Sequence, residues 1–155
     1  MSYEANKIAD HLFQGGRPPP GDGLKKAGVD VLVLCAKEWQ DGTCYPGLVV
    51  IKAPGDDDPR PHRLARFIDT WKLAAELVVE HVLAGRNVLV TCMAGQNRSG
   101  IVTAMALCML TGCSGQQAVD TVSSRRLHAL NNETFAKYVV DNFPGENHGD
   151  PVPGG

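Results

Sequence analysis

Short runs of β-branched and apolar residues recur along the chain, separated by polar or glycine-rich connections. Three of them, VDVLVLC at 29–35, LVVIKA at 48–53 and NVLVTC at 87–92, have no alternation of polar and apolar positions. Such continuous runs predict strands that are buried on both faces. A fourth stretch, KIADHLFQGG at 7–16, predicts a short strand or hairpin that ends in glycines.

Longer stretches repeat their apolar positions at helical spacing, which predicts amphipathic or buried helices. Ser114 with Gln117 predicts a capping box at the start of one helix. Gly85 and Gly112 each follow the last periodic residue of a helix and predict its end. The predicted helices cover 62–83, 99–111, 114–126 and 132–143.

The order of these elements predicts the fold class. Strands alternate with helices and a cluster of helices follows, which is typical of an α/β protein with a central, mostly parallel sheet flanked by helices. We expect one compact domain over residues 1–143 and a disordered tail over 144–155, because PGENHGDPVPGG is poor in apolar residues. Ligand sites in such sheets lie beyond the carboxyl ends of the strands, and Cys92 stands at one of these ends.

Composition narrows the classes of function. The net charge of −2 over 155 residues argues against a nucleic-acid partner. No apolar run reaches the length needed to cross a bilayer, and the first residues lack a signal-peptide pattern. The five cysteines form no disulfide framework and no zinc-ligand spacing. We therefore expect a cytoplasmic, monomeric protein with no membrane association, no metal and no cofactor.

The segment VLVTCMAGQNRSG at 88–100 carries the candidate chemistry. A loop between a strand and a helix can direct successive backbone N–H groups inward, and the helix adds the positive end of its dipole. Gly95 and Gly100 permit tight turns, and Arg98 offers a planar fork for two phosphate oxygens. These features predict a cradle for a tetrahedral dianion. The predicted phosphate-binding residues are Met93, Ala94, Gly95, Gln96, Asn97 and Arg98.

Cys92 lies at the base of this cradle. The groups that bind a phosphate would also stabilise a thiolate, and a thiolate facing a bound phosphoryl group is a nucleophile. Displacement would give a cysteinyl-phosphate, with Arg98 and the loop amides stabilising the charge on the transferring group. Ser99 is predicted to hydrogen-bond the sulfur and to make it a better leaving group in the second step.

These residues resemble the C-x5-R-[S/T] signature of the cysteine-dependent protein tyrosine phosphatases. The form CxxGxxRS, Cys92–Ser99, is typical of their dual-specificity branch. KIADHLFQGGRP, VDVLVLCAKEWQ and NNETF resemble further parts of that branch, so that the likeness covers about residues 5–143. The resemblance implies a compact phosphatase domain. One departure is Thr91, which stands where the family usually has a histidine before the nucleophile.

Cleavage of a phosphate monoester needs a proton for the leaving oxygen, which a positioned carboxylic acid can supply. The family carries this acid on a loop some thirty residues before the cysteine, and the matching loop here is APGDDDPRP. The resemblance implies Asp56 first, Asp57 second and Asp58 third as the general acid. Arg126, together with its neighbour Arg125, is expected either to contact the substrate or to hold the cysteine loop from behind.

The sequence leaves the substrate and two alternatives open. We expect a phosphoprotein substrate with phosphotyrosine or phosphoserine/threonine, whereas phosphoinositides and RNA 5′-phosphates remain possible classes. One alternative is a catalytically weak pseudophosphatase that binds phosphorylated partners, which Thr91 favours. The other is a different C-x5-R enzyme, such as an arsenate reductase or a sulfurtransferase.

Overall fold

A computed structural model describes residues 4–146, and it confirms the α/β class. The strands are β1 Ala5–Ala9, β2 Leu12–Gly15, β3 Val31–Ala36, β4 Val49–Gly55 and β5 Val88–Thr91. The helices are α1 Gly23–Lys26, α2 Pro61–Leu83, α3 Arg98–Thr111, α4 Gly115–Arg125 and α5 Glu133–Asn142, and a 3-10 helix covers Gly42–Cys44. Each predicted strand and helix is therefore present, with ends shifted by a few residues.

The five strands form one sheet in the order β1-β2-β5-β3-β4. Only the β1–β2 hairpin is antiparallel, and the other pairs are parallel. Strand β5 lies between β2 and β3, with Thr91 opposite Gly15 on one side and Leu34 on the other. The carboxyl ends of the parallel strands β2, β5, β3 and β4 therefore lie side by side at one edge of the sheet, and the loop that carries Cys92 leaves from β5, an inner strand of this row.

Strand β3 shows why the predicted strands read as continuous apolar runs. Val31 and Val33 point into the main core, which also contains side chains of α2, α3, α4 and α5. Leu32 and Leu34 point to the opposite face and pack in a smaller cluster with Leu24 of α1. All four β3 side chains are fully buried or nearly so. Burial of each one stabilises the fold by about 1.5–3 kcal/mol.

Local signals set the helix ends at the connection between α3 and α4. Ser114 accepts a hydrogen bond from the Gln117 backbone N–H and the Gln117 side chain accepts one from the Ser114 backbone, so the predicted capping box is present. Gly112 has a φ of 71°, in the left-handed region, where it ends α3. A sharp turn there lets α4 pack back against α3 and α5.

The predicted tail begins inside the described part of the chain. The Phe143 carbonyl accepts a hydrogen bond of 2.6 Å from the Gly115 N–H, and the Glu146 N–H donates one of 2.6 Å to Gly112. Residues 144–146 therefore contact the connection between α3 and α4. Residues 147–155 lie outside the described residues, so a disordered tail stays a prediction for them. Between residues 4 and 146, no helix is both long enough and apolar enough to cross a bilayer.

Candidate active site

Cys92 directly follows β5, in the middle of the sheet edge. Cys92 is only 5% exposed, and Ser99 is fully buried. The Sγ of Cys92 lies 3.3 Å from the Oγ of Ser99. Ser99 is the second residue of α3, so the strand end and the helix start bring the two side chains together. This distance is within hydrogen-bond range for sulfur, as the predicted role of Ser99 requires.

The loop after Cys92 presents four carbonyls, those of residues 93–96, to groups outside it. The first and the last of these accept hydrogen bonds from backbone N–H groups. The Met93 carbonyl accepts a hydrogen bond of 3.1 Å from the Arg17 N–H, just beyond β2. The Gln96 carbonyl accepts one of 3.1 Å from the Leu130 N–H, in the connection between α4 and α5. Both ends of the loop are thereby fixed to neighbouring segments.

The two middle carbonyls bind side chains. Arg126 donates from Nε to the Gly95 carbonyl at 2.6 Å and from Nη2 to the Ala94 carbonyl at 3.0 Å. Gln14, which is fully buried in β2, donates to the Gly95 carbonyl at 3.0 Å. Of the two roles expected for Arg126, the structure therefore places it in contact with the back of the cysteine loop.

These contacts determine where the loop amides point. In a trans peptide the N–H and the C=O point in opposite directions. Because four successive carbonyls, 93–96, bind groups around the loop, the amides that follow them are directed to its inner side. Gly95 has a φ of 70°, and a Cβ there would lie 2.4 Å from the Gly15 backbone, so only glycine fits. The loop has the form of an anion-binding nest.

Arg98 is oriented by an acceptor that the sequence analysis missed. Its guanidinium donates to Glu38 at 2.5 Å and 3.2 Å and to the Gly55 carbonyl at 3.1 Å. These bonds from Arg98 hold the pKa of the Glu38 carboxyl below its ordinary value. The Nε of Arg98 is buried and has no partner among the residues that the structure describes. A buried donor of this kind is costly unless a ligand uses it.

Asp57 is the acidic-loop residue that reaches the cysteine loop. Its Oδ2 accepts a hydrogen bond of 3.0 Å from Asn97, and its Oδ1 accepts one of 2.9 Å from Asn132 at the start of α5. Asn97 also accepts from the Asn132 N–H and donates to Asn131, at 2.8 Å and 2.7 Å. The structure thus brings Asp57 together with the residue that precedes Arg98.

The other two aspartates contact arginines of their own segment. Asp56 accepts from Arg63 at 2.7 Å and lies 4.0 Å from Lys37. Asp58 accepts several hydrogen bonds from Arg60, which hold the pKa of its carboxyl well below the usual range. An Asp58 that stays ionised has no proton to donate to a leaving group.

Thr91 does not contact the nucleophile through its hydroxyl. The side chain is 1% exposed, and its Oγ1 donates a hydrogen bond of 2.8 Å to the Val33 carbonyl on the neighbouring strand. The hydroxyl therefore ties β5 to β3 at the strand end. Among residues 4–146, no group of three or more His, Cys, Asp or Glu side chains could hold a metal ion.

Gln14 and Glu38 are hard to recognise as functional residues from the sequence alone. The signal for Gln14 was a polar residue inside a strand that is otherwise apolar, LFQG, where burial forces the amide to find a partner. Glu38 lies in a polar connection after β3, where a charged residue is ordinary. Only the meeting of the β3 and β5 ends reveals its contact with Arg98.

Comparison with solved structures identifies the class of protein. A crystal structure of a mouse putative dual specificity phosphatase, complexed with zinc tungstate, matches 93% of this chain and 88% of its own, with 27% identity and a TM-score of 0.74. Human DUSP28 matches 93% of this chain and 95% of its own, with 29% identity and a TM-score of 0.72. A substituted form of human DUSP28 matches 88% and 94%, with 30% identity and a TM-score of 0.70.

The chain belongs to the cysteine-dependent protein tyrosine phosphatase superfamily, in its dual-specificity branch. The resemblance drawn from the C-x5-R-S signature is therefore confirmed. No family model matches the chain, and a search of curated proteins gives no match either. The similar structures are of phosphatases, which supports phosphatase activity in general.

Proposed function

We propose that this chain is a protein phosphatase of the dual-specificity type, which hydrolyses phosphotyrosine and phosphoserine/threonine through a cysteinyl-phosphate. The observation that carries this proposal is the buried Nε of Arg98, which has no partner among residues 4–146 and lies beside a loop whose amides are directed inward. Such an arrangement supports a preformed binding site for a dianion. Cys92, at the base of that site, supplies the nucleophile.

In the first step the thiolate of Cys92 attacks the phosphorus atom. A P–S bond forms and the P–O bond to the leaving group breaks. The leaving oxygen takes a proton from Asp57, while Arg98 and the loop amides stabilise the charge on the other phosphate oxygens. The products are the cysteinyl-phosphate and the dephosphorylated hydroxyl.

In the second step the Asp57 carboxylate takes a proton from water. The hydroxide oxygen bonds to phosphorus and the P–S bond breaks, with its electron pair returning to the sulfur of Cys92. Ser99, at 3.3 Å, donates a hydrogen bond to the departing thiolate. Inorganic phosphate is released and Asp57 is again protonated.

We propose Asp57 as the general acid in place of our first choice, Asp56. Asp57 accepts from Asn97, which is part of the cysteine loop, whereas Asp56 is paired with Arg63. Asp58 is held ionised by Arg60. The contacts with Asn97 and Asn132 orient the Asp57 carboxylate, and orientation is what a proton donor needs most.

The first experiment measures hydrolysis of p-nitrophenyl phosphate between pH 4 and pH 8 in EDTA. We expect the wild type to turn over and Cys92→Ser to be inactive while still binding tungstate. Turnover that survives in Cys92→Ser would exclude the cysteinyl-phosphate route. A folded wild type that binds tungstate but shows no turnover at any pH would favour the pseudophosphatase alternative.

Release of phosphate from phosphopeptides, phosphoinositides and a 5′-phosphorylated RNA, compared side by side, tests the substrate class.

A second experiment compares Asp56→Asn, Asp57→Asn and Asp58→Asn on a phosphotyrosine peptide. We expect Asp57→Asn to lower kcat by about 10²–10⁴-fold, as loss of a general acid does. The two neighbouring variants remove the same charge from the same loop and serve as matched controls. A larger loss in Asp56→Asn than in Asp57→Asn would restore Asp56 as the acid.

A further inference from the structure

Two cysteines meet at the turn between α3 and α4. Cys108 lies in the last turn of α3, and Cys113 directly follows Gly112, the left-handed residue that ends this helix. The Gly112 N–H donates to the Cys108 carbonyl at 2.9 Å. At a helix end of this type, the side chain after the glycine folds back onto the last turn, where it usually makes an apolar contact. The local backbone therefore brings the two cysteine side chains together.

The contact between these side chains is a hydrogen bond between two thiols. Cys108 is 5% exposed and Cys113 is 3% exposed. The hydrogen bond lowers the pKa of the Cys113 thiol and raises the pKa of the Cys108 thiol well above its usual range. Position favours the same order, because Cys113 precedes the N-terminus of α4, whose positive end stabilises a thiolate. The pair thus combines a thiolate with a thiol that keeps its proton.

A cavity of about 460 Å³ gives small molecules access to this pair. Both cysteines line it, and residues 142–146 form the opposite wall, which the hydrogen bond from the Glu146 N–H to the Gly112 carbonyl holds in place. A peroxide molecule is little larger than a water molecule, which occupies about 30 Å³ in the liquid, so it fits easily. Glu146 is the one other titratable residue of the lining between residues 4 and 146. Its side chain is exposed, so water screens its repulsion of a thiolate.

The pair is separate from the candidate active site. Ser99, which faces the Cys92 sulfur, is the second residue of α3, whereas Cys108 lies in the last turn of the same helix. A rise of 1.5 Å per residue places Cys108 about 14 Å further along the helix axis. Chemistry at Cys108 and Cys113 therefore needs neither Cys92 nor turnover of a phosphate ester.

We propose that Cys108 and Cys113 form a second reactive site, a dithiol that hydrogen peroxide oxidises to a reversible disulfide. The Cys113 thiolate attacks one peroxide oxygen, so that an S–O bond forms, the O–O bond breaks and hydroxide leaves to take a proton from water. The Cys108 sulfur then attacks the sulfenic acid of Cys113. The S–S bond forms, the S–O bond breaks, and the departing oxygen leaves as water with the Cys108 proton. The two sulfurs lose two electrons, and the peroxide is reduced to two molecules of water.

Trypsin separates these two thiols from the others. Cleavage after Arg98 and Arg125 releases residues 99–125, which contain Cys108 and Cys113 and no other cysteine. The remaining cysteines fall in three further peptides, one each for Cys35, Cys44 and Cys92. The full-length wild type is treated with hydrogen peroxide at pH 7, blocked with iodoacetamide and digested without reduction. In the mass spectrum, a disulfide within residues 99–125 removes two hydrogens and leaves no thiol to be labelled.

We expect the disulfide to form about tenfold faster than the Cys44 peptide loses its label, because the thiolate is the form that reacts. Dithiothreitol should restore both thiols. In Cys108→Ser, dimedone should trap a sulfenic acid at Cys113, whereas in Cys113→Ser the Cys108 thiol should persist. Cys44→Ser is the matched control for loss of one thiol and should keep the disulfide.

The wild-type measurement alone is able to overturn the proposal. Two thiols that persist in residues 99–125 while Cys44 is oxidised would mean that the pair only makes the apolar contact of a helix end. The Cys92→Ser form should give the disulfide at the wild-type rate, and its loss there would mean that Cys92 delivers the oxidation, which contradicts a separate site. None of these measurements depends on turnover, so a failure of the proposed phosphatase function leaves their outcome unchanged.

Discussion

Glu38 has two opposing electrostatic effects on a phosphate bound at Arg98. Its negative charge reduces the attraction that Arg98 exerts on an anion, whereas its two hydrogen bonds fix the direction of the guanidinium. Half of the Glu38 side chain is exposed, so water screens the charge more than it weakens the geometry. We therefore expect orientation to dominate, and we regard Glu38 as a positioning residue.

Glu38→Ala is expected to lower kcat/KM on a phosphotyrosine peptide by about tenfold or more, because misplaced catalytic groups are costly. Glu38→Gln should retain most of the activity, since the amide oxygen still accepts from Arg98. Glu76→Ala, an exposed glutamate on α2, is the control for loss of one surface charge. Unchanged kcat together with tighter vanadate binding in Glu38→Ala would mean that the charge, and not the orientation, matters.

The lowered pKa of Glu38 gives this comparison a pH dependence. A carboxylate whose folded-state pKa is depressed is fully ionised above the unfolded-state pKa, about 4.3 for glutamate. Glu38 is therefore protonated, and its charged hydrogen bonds with Arg98 are lost, only as pH falls through the lower folded-state pKa. The ratio of wild-type to Glu38→Gln activity should stay constant down to the unfolded-state pKa, about 4.3, and approach one only at more acidic pH. A change of the ratio between pH 5 and pH 7 would contradict the Arg98–Glu38 pairing.

Thr91 shows how one side chain can be read differently from sequence and structure. The sequence places Thr91, with its hydroxyl, where the family usually has a histidine before the nucleophile. In the structure that hydroxyl donates to Val33, so the only side-chain hydroxyl in hydrogen-bond range of the Cys92 sulfur, among the described residues, is that of Ser99. Any tuning of the thiol by Thr91 is then indirect, through the position of the β5 end.

At the scale of elements, the fold followed from signals that are local in the chain. Continuous apolar runs, a capping box at Ser114 and a glycine at 112 each act within a few residues, so sequence reasoning located them. The choice among Asp56, Asp57 and Asp58 is different, because Asp56 and Asp58 bind arginines that are close in the chain, whereas Asp57 binds partners supplied by tertiary contact. Asp57 meets residues 40 and 75 positions away along the chain, and no local pattern announces that.

The start of α4 is a sharper case of tertiary contact overriding local preference. Alanine is favoured over glycine inside a helix by about 0.5–1 kcal/mol, so propensity alone predicts that Gly115→Ala stabilises the protein. A Cβ at Gly115 would lie 2.1 Å from the Val139 carbonyl oxygen of α5. The backbones of α4 and α5 touch there, and the clash should win.

We expect Gly115→Ala to lower the free energy of unfolding by about 1–3 kcal/mol, the usual cost of overpacking, as measured by urea denaturation. Gln116→Ala changes the next residue, which is exposed, and should stay within about 0.5 kcal/mol of wild type. A Gly115→Ala protein that is more stable than wild type would show that α4 and α5 separate at little cost.

At the scale of the whole molecule, the core and the candidate site share one backbone position. The Gly55 carbonyl, at the end of β4, accepts hydrogen bonds from Arg98 at 3.1 Å and from the Lys37 N–H at 3.2 Å. Its α-carbon faces Trp71, which is fully buried and packs edge-on against Phe135, with ring centres 5.4 Å apart. The same position therefore bears on the packing of α2 and α5 and on the direction of Arg98.

Gly55→Ala tests this connection, because a Cβ there would lie 2.2 Å from the Trp71 ring. Either the ring or the backbone must move, and a moved backbone displaces the Gly55 carbonyl that Arg98 uses. We expect the free energy of unfolding to fall by about 1–3 kcal/mol and kcat/KM to fall as well. Val78→Ala, a fully buried α2 residue, is the control, with a loss of stability of about 1–3 kcal/mol.

Both variants are measured at a temperature at which each is fully folded, so that lost stability alone cannot lower the rate. Under that condition Val78→Ala should retain wild-type kcat/KM and Gly55→Ala should not. Equal rates in the two variants would mean that Trp71 absorbs the added methyl group by shifting within the core. The β4 end would then be held in place by its other contacts, and the site would be insulated from packing changes behind it.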